Sequence, residues 1–292
     1  MDNFGLVIQS LISGVSIGCV YGLIGIGFCV IYNASGIVNF AQGAFVMLGG
    51  MVTYVLLEQY HLPYMLAAVL AIAFVALVGA LLERLVVRPL WKRNAAMFVM
   101  ILATLAAQIV IERLTYLAVD DQPKTLPVFL DLPPIMIGGV AINYQSLWIM
   151  TGSLLIVATL GLFFKRTRLG KAMRACSINA EAAALQGIPV SALLTGAFAI
   201  SAVLGALAGI LVTPTQYTAF NMGVPFAISG FIAAIIGGFG RPFGAFLGGI
   251  TLGLVQAVAI LSFGAGFKNV AALSILLVFL FIRPSGILGS SR

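Results

Sequence analysis

From residue 3 to residue 57 no side chain is charged, and apolar positions run on without the polar face that a soluble helix or half-buried strand would show. The same holds over 59–82, 94–111, 132–164 and 182–240. A helix needs about 20 apolar residues to cross a bilayer core, so the longest runs hold two or more passes each. The runs do not alternate in barrel-strand fashion, which predicts helices. Eight segments follow, at 5–31, 40–57, 63–82, 95–117, 146–164, 190–212, 243–262 and 269–283, with a shorter, glycine-broken ninth at 225–239. The expected fold is all-α: a polytopic transmembrane helical bundle of eight to nine spans, one domain over 1–292.

Composition strengthens this reading. The 292 residues are 62% hydrophobic and 8% charged, which excludes an ordinary soluble domain. A net charge of +7 would point to nucleic acid in a soluble protein. Here the charges are sorted along the chain, so the partner they imply is the lipid bilayer and no nucleic acid is expected. Arg84, Arg88, Lys92 and Arg93 fall in one inter-span loop, and Lys165, Arg166, Arg168, Lys171 and Arg174 in another. Both are expected in the cytoplasm. Glu58, Asp120, Asp121 and Asp131 fall on the opposite side. Counting back places the N-terminus outside, on a retained first span. Counting forward, Arg241 and Arg283 reach the inside only if 225–239 crosses, which makes nine passes and a cytoplasmic C-terminus.

The 118–145 connection is then external, and its prolines prevent a regular helix. It reads as an ordered cap or docking surface, with a solvated connector as the alternative. The three cysteines, Cys19, Cys29 and Cys176, have no metal-ligand spacing and read as small packing residues.

Candidate chemistry is sparse. Span interiors lack charge, Glu112 and Arg113 lie near the outer end of theirs, and His61 sits in an external turn, so carboxylate-based ion coupling is disfavoured. No HExxH, GxSxG or paired carboxylate appears, which predicts no catalytic residue, no metal and no enzyme. "RLGKAMRA" lacks the glycine and the Ser or Thr of a phosphate-binding loop, so any ATP that drives the protein is hydrolysed by another chain.

The second basic loop, 165–189, holds a short helix predicted over 180–186, capped by Asn179, stopped by Gly187 and kept from resuming by Pro189. Glu181 sits where the helix dipole favours a carboxylate. Such a knob suits a groove on a partner; a helix lying on the membrane is the alternative.

Polar residues near span ends form two groups. Asn39, Gln42 and Gly43, with Asn33 and Ser35, stand at the inner start of the second span, and Thr213, Gln216 and Asn221 follow the sixth. They read as gate-like linings at opposite ends of one path, or as caps and packing groups, with Asn39 capping a helix that begins at Phe40.

"EAAALQG", Glu181 to Gly187, resembles the EAA-x3-G coupling motif of ABC importer permeases, and "NFAQGAFVMLGG", "GRPFGAFLGG", "RACSINAEAAALQGI" and "FLFIRPSGILG" are similar to permeases of the branched-chain amino acid (LivH/LivM) type. The likeness runs over nearly the whole chain. It implies a LivH-like subunit paired with a homologous LivM-like permease in a bacterial cytoplasmic (inner) membrane. Two ATP-binding subunits would bind ATP and Mg, leaving no cofactor in this chain, and a periplasmic binding protein would deliver substrate to the outer face. The coupling role carries over to Glu181, Ala182, Ala183 and Gly187, with Arg174 as a second contact. Amino acid members often read "NFAHGE" where residues 39–44 here read "NFAQGA". Amides, urea and aromatic or other carboxylic acids therefore stand beside branched-chain amino acids as implied substrates. A self-contained channel or facilitator for small neutral solutes is the alternative function.

Overall fold

The structure, a computed structural model, describes residues 3–130, 132–137 and 140–288; Asp131, assigned to the external side above, lies outside them. Helices α1 (Asn3–Ser35), α2 (Gln42–Glu58) and α3 (Tyr64–Leu82) come first, then a π-helical turn (Glu83–Val87), α4 (Arg88–Lys92) and α5 (Met97–Val119). A two-stranded antiparallel pair, β1 (Ile135–Ile137) and β2 (Val140–Ile142), precedes α6 (Tyr144–Arg166), α7 (Arg168–Ile178) and α8 (Ala180–Leu185). The chain continues through α9 (Val190–Gln216), α10 (Gly223–Gly237), α11 (Pro242–Phe263) and α12 (Lys268–Ile282). Among the described residues seven helices are long and apolar enough to cross a membrane, while α2 and α10 are shorter.

α3, the π turn and α4 form one continuous helix from Tyr64 to Lys92. The first basic loop of the sequence reading is therefore a helical extension, and only Arg93 and Asn94 turn the chain. Its reason is Arg88, which pairs with buried Glu83 through Nε to Oε1 and Nη2 to Oε2, both 2.9 Å. Thr195 at the base of α9 donates to the same carboxylate at 2.8 Å, and Arg88 also donates to the Ser191 carbonyl at 3.0 Å. Burying a carboxylate is costly unless it is paired and hydrogen-bonded in this way.

α1 and α9 form the centre, and α3, α5, α6 and α12 turn apolar faces outward. α1 packs antiparallel to α11, with Gly14 against Gly253 and Gly22 against Phe246. α2 runs parallel to α9: Phe45 lies over Gly205 and Gly50 against Thr213.

After α1 the chain turns at Gly36 (φ 69°) and folds back into the bundle. The Phe28 and Phe40 rings stand 6.2 Å apart, and Gln42 lies against Gly27. Those α1 positions precede Ser35 by seven to eight residues, so α2 begins about 10–12 Å inside the end of α1. α10 does the same from the other direction, starting beside the first turn of α2: a Cβ on Gly223 would lie 2.8 Å from the Gly43 carbonyl oxygen. Two helix N-termini thus abut within the bundle, glycine backbone against glycine backbone, with the Gln108 amide beside the contact.

The 118–145 connection is packed down. Lys124 and Thr218 exchange both backbone hydrogen bonds at 2.7 Å, and Phe129 stacks edge-on against Tyr64 at 4.9 Å. Gln145 accepts from the Phe129 N–H at 3.3 Å and donates to the Leu211 carbonyl at 3.1 Å.

Candidate functional site

Burying the start of α2 leaves its first N–H groups without water, so side chains must meet them. α5 supplies these from one stripe at four-residue spacing. Thr104 Oγ1 accepts from the Phe40 N–H at 3.2 Å, and Gln108 Oε1 from the Ala44 N–H at 2.8 Å. Gln108 in turn donates to Glu112 at 2.6 Å. The helix begins at Gln42 rather than Phe40, and Asn39 is not its N-cap. Asn39 instead closes a local turn, its Oδ1 accepting from the Ala41 N–H at 3.1 Å, while its Nδ2 is buried without a partner.

Gln42, fully buried, bonds across to α9. Its Nε2 donates to the Ser201 carbonyl at 3.1 Å, and the Ser201 hydroxyl lies 2.6 Å from Gln42 Oε1 and 2.9 Å from the Gly27 carbonyl. One hydroxyl proton is shared between those two acceptors.

Of the second group, Thr213 is buried and donates to the Gly209 carbonyl at 2.7 Å, whereas Gln216 and Asn221 are exposed. Thr213 lies against Gly50, eight residues along α2 from Gln42. The two buried polar points are therefore about 12 Å apart on a single α2–α9 seam.

The loop between α6 and α9 is built from local chemistry. Thr167 caps α7, accepting from the Gly170 N–H at 3.0 Å, and Asn179 caps α8, accepting from the Ala182 N–H at 2.9 Å. α8 ends in a Schellman motif: Ile188 N–H to Ala183 O at 3.1 Å, Gly187 N–H to Ala184 O at 2.9 Å, and Gly187 at φ 80°. Ala183 is buried against the body of the chain, while Glu181 and Ala182 are exposed. Leu185 and Ile178 are 87% and 86% exposed, so the knob presents apolar tips. Arg174 is not at that tip. It lines a cavity of about 610 Å³ between α1, α6, α7 and the start of α11, together with Arg241.

Sequence reasoning missed Thr104, Gln108, Ser201 and the Glu83–Arg88–Thr195 cluster. The i, i+4, i+8 stripe of Thr104, Gln108 and Glu112 in an apolar helix was the available signal for the first two.

Long apolar helices, half-length helices meeting inside, and a capped knob between spans define a multi-pass α-helical membrane protein. The family described as branched-chain amino acid transport system / permease component matches residues 10–282. The chain is 33% identical to the high-affinity branched-chain amino acid transport system permease protein BraD of Pseudomonas aeruginosa, over 97% of this chain and 95% of that protein. It is 28% identical to LivH of Escherichia coli K12, a permease of the same description, over 99% and 97%. It also resembles a chain of PsaBC from Streptococcus pneumoniae, solved in complex with Fab, with TM-score 0.52 and 16% identity over 97% and 94%, a likeness of fold alone. The chain belongs to the branched-chain amino acid transport permease family, as a LivH-like ABC permease and a transport subunit rather than an enzyme.

Proposed function

We propose that this chain is one of two homologous membrane subunits of a binding-protein-dependent ABC importer, paired with a LivM-like permease in the bacterial inner membrane. Its substrate is a branched-chain amino acid or a related small organic solute: an amide, urea, or an aromatic or other carboxylic acid. Two ATP-binding subunits hold ATP and Mg and engage α8 from the cytoplasm, and a periplasmic binding protein docks over the 118–145 cap. Nine passes, with the N-terminus outside and the C-terminus inside, result if residues 36–58 and 217–237 each cross as an extended stretch plus a shorter helix.

The observation that carries this reading is the projection of α8, capped at both ends and tipped by exposed Leu185, from a chain of this family. A structure stiffened by caps yet apolar at its tip loses little entropy on entering a groove, which suits a coupling element. Glu181, Ala182 and Gly187 shape that element, buried Ala183 anchors it, and Arg174 follows from one helix earlier. For the path, exposed Gln216 and Asn221 face the solute at the outer end, while Asn39, Gln42, Gly43 and Thr213 hold the wall from behind. The deciding experiment is reconstitution in liposomes. ATP-dependent uptake that needs the partner subunits supports the reading; downhill flux through this chain alone overturns it in favour of a self-contained channel.

A further inference from the structure

We propose that Glu83, Arg88 and Thr195 are positioning residues of the transport cycle: they join the α8 knob to α3, and α3 carries its displacement to the 118–145 cap. The inference rests on the proposed role of α8 as the ATPase-facing element, and adds the route by which its engagement reaches the opposite end of the bundle.

The route begins on a stiff base. Ile188 N–H bonds to Ala183 O and Gly187 N–H to Ala184 O, and the Pro189 carbonyl accepts from Ala192 and Leu193 at 3.0 and 3.1 Å. These bonds leave little slack between α8 and the first turn of α9. Ser191 and Thr195 on that stretch are the groups that the end of α3 grips. Thr195 Oγ1 accepts from Arg88 at 2.5 Å and donates to Glu83 at 2.8 Å, while Arg88 reaches the Ser191 carbonyl at 3.0 Å.

The grip depends on a local irregularity. Side chains five residues apart are not neighbours on an α-helix. The π turn closes the Arg88 N–H onto the Glu83 carbonyl, and so brings both side chains to α9. Apolar residues in place of a buried ion pair are often as stable or more so, so packing stability does not call for this one. What the paired fork adds is direction: two parallel charge-assisted bonds resist rotation and slip, which non-directional apolar contact does not. One turn further along α3, a Cβ on Gly79 would stand 2.8 Å from the Phe198 carbonyl oxygen, so α3 is keyed to α9 by backbone as well.

From that joint α3 runs as 19 α-helical residues back to Tyr64, about 28 Å. Its far end meets the cap. The Tyr64 ring stands 4.9 Å from Phe129, whose own ring is 6.0 Å from Trp148.

The test is the fluorescence of a bimane on Val128→Cys, a 42% exposed position beside Phe129, with Trp148 as its quencher. The purified chain is labelled briefly at pH 7, which spares its buried cysteines, then assembled with the other subunits in nanodiscs and read before and after trapping with ATP and vanadate. Emission should change at least twofold on trapping. Glu83→Met/Arg88→Met should keep less than a fifth of that change, and Arg88→Ala should lose it equally although the two differ in melting temperature; Thr195→Ser, which retains the hydroxyl, should respond fully. A response that returns with the melting temperature in the double Met variant would make the joint structural only and overturn the proposal. So would an importer that hydrolyses ATP with no change at the cap. Both results leave the importer reading standing, whereas ATP-binding subunits that never assemble with the chain overturn that reading and this inference together.

Discussion

Arg88 grips the fully buried carboxylate of Glu83 through two 2.9 Å contacts and, through Ser191 and Thr195, holds the base of α9 against the end of α3. Removing one partner strands a buried charge, at a cost of about 3–5 kcal/mol. Arg88→Ala should therefore lower the detergent melting temperature sharply, and Glu83→Met/Arg88→Met should recover part of the loss. An Arg88→Ala protein that melts like the wild type would show that the clamp contributes nothing.

The Gln42–Ser201 pair joins α2 to α9 inside the bundle. Gln42→Leu leaves the Ser201 groups without their partner, and Ser201→Ala does the reverse, each costing about 1–3 kcal/mol. Because they share the bonds, the double variant should cost less than the sum, with a coupling of at least about 0.5 kcal/mol. Additive melting shifts would mean that the two sites act independently.

At Gly43 an added methyl would overlap the Gly223 carbonyl oxygen, with backbone on both sides and no flexible side chain to yield. Gly43→Ala should destabilise by about 1–3 kcal/mol, the usual cost of overpacking. Gly196→Ala, in α9 with open space around its Cβ, serves as the control and should be neutral or better, as measured by the same melt.

Gly187 is left-handed (φ 80°) with open space around it, so Gly187→Ala charges only the backbone, about 1–2 kcal/mol. The bundle should fold normally while ATP-driven uptake falls relative to ATP hydrolysis. Leu185→Glu should reduce co-purification of the ATP-binding subunits by about tenfold, equivalent to about 1.4 kcal/mol. Undiminished co-purification would remove α8 from the interface.

Burial pushes the Cys176 thiol above its ordinary value. The folded chain therefore holds that proton more tightly than the unfolded chain, and this contribution to stability is lost as pH rises through the alkaline range. Maleimide should label Cys176 slowly at pH 7 and faster as pH climbs. A cysteine introduced by Leu185→Cys, at an 87% exposed position, should label far sooner. Comparing permeant and impermeant reagents on that variant in cells also reports which side α8 faces.

The helices were legible because the charge-free runs are long enough to hold them, although the turns at Gly36 and Tyr217 fall inside such runs; the 225–239 segment is helical as α10, Gly223–Gly237, but shorter than a spanning helix. α8 was legible for a different reason: Asn179 and Gly187 act through their own backbone neighbours, so local chemistry suffices. The start of α2 was not. Nothing around Phe40 reveals that the chain re-enters the bundle, and once it does, Thr104 and Gln108 from 64 residues away replace Asn39 as partners. Arg88 misled for a related reason, since a basic residue near a span end reads as solvated until its buried carboxylate is seen. Glu83 is only five residues from Arg88, but what buries the pair is the base of α9, with Ser191 and Thr195 lying 103 and 107 residues from Arg88, and a single sequence carries no record of that contact.

The reciprocal bonds between Lys124 and Thr218 have a mechanical meaning. Thr218 precedes Gly223, the seat of α10 against α2, by only five residues. The 118–145 connection and the joint between the half-helices are thus two ends of one short lever. A displacement of one end would reach the other through five residues of backbone.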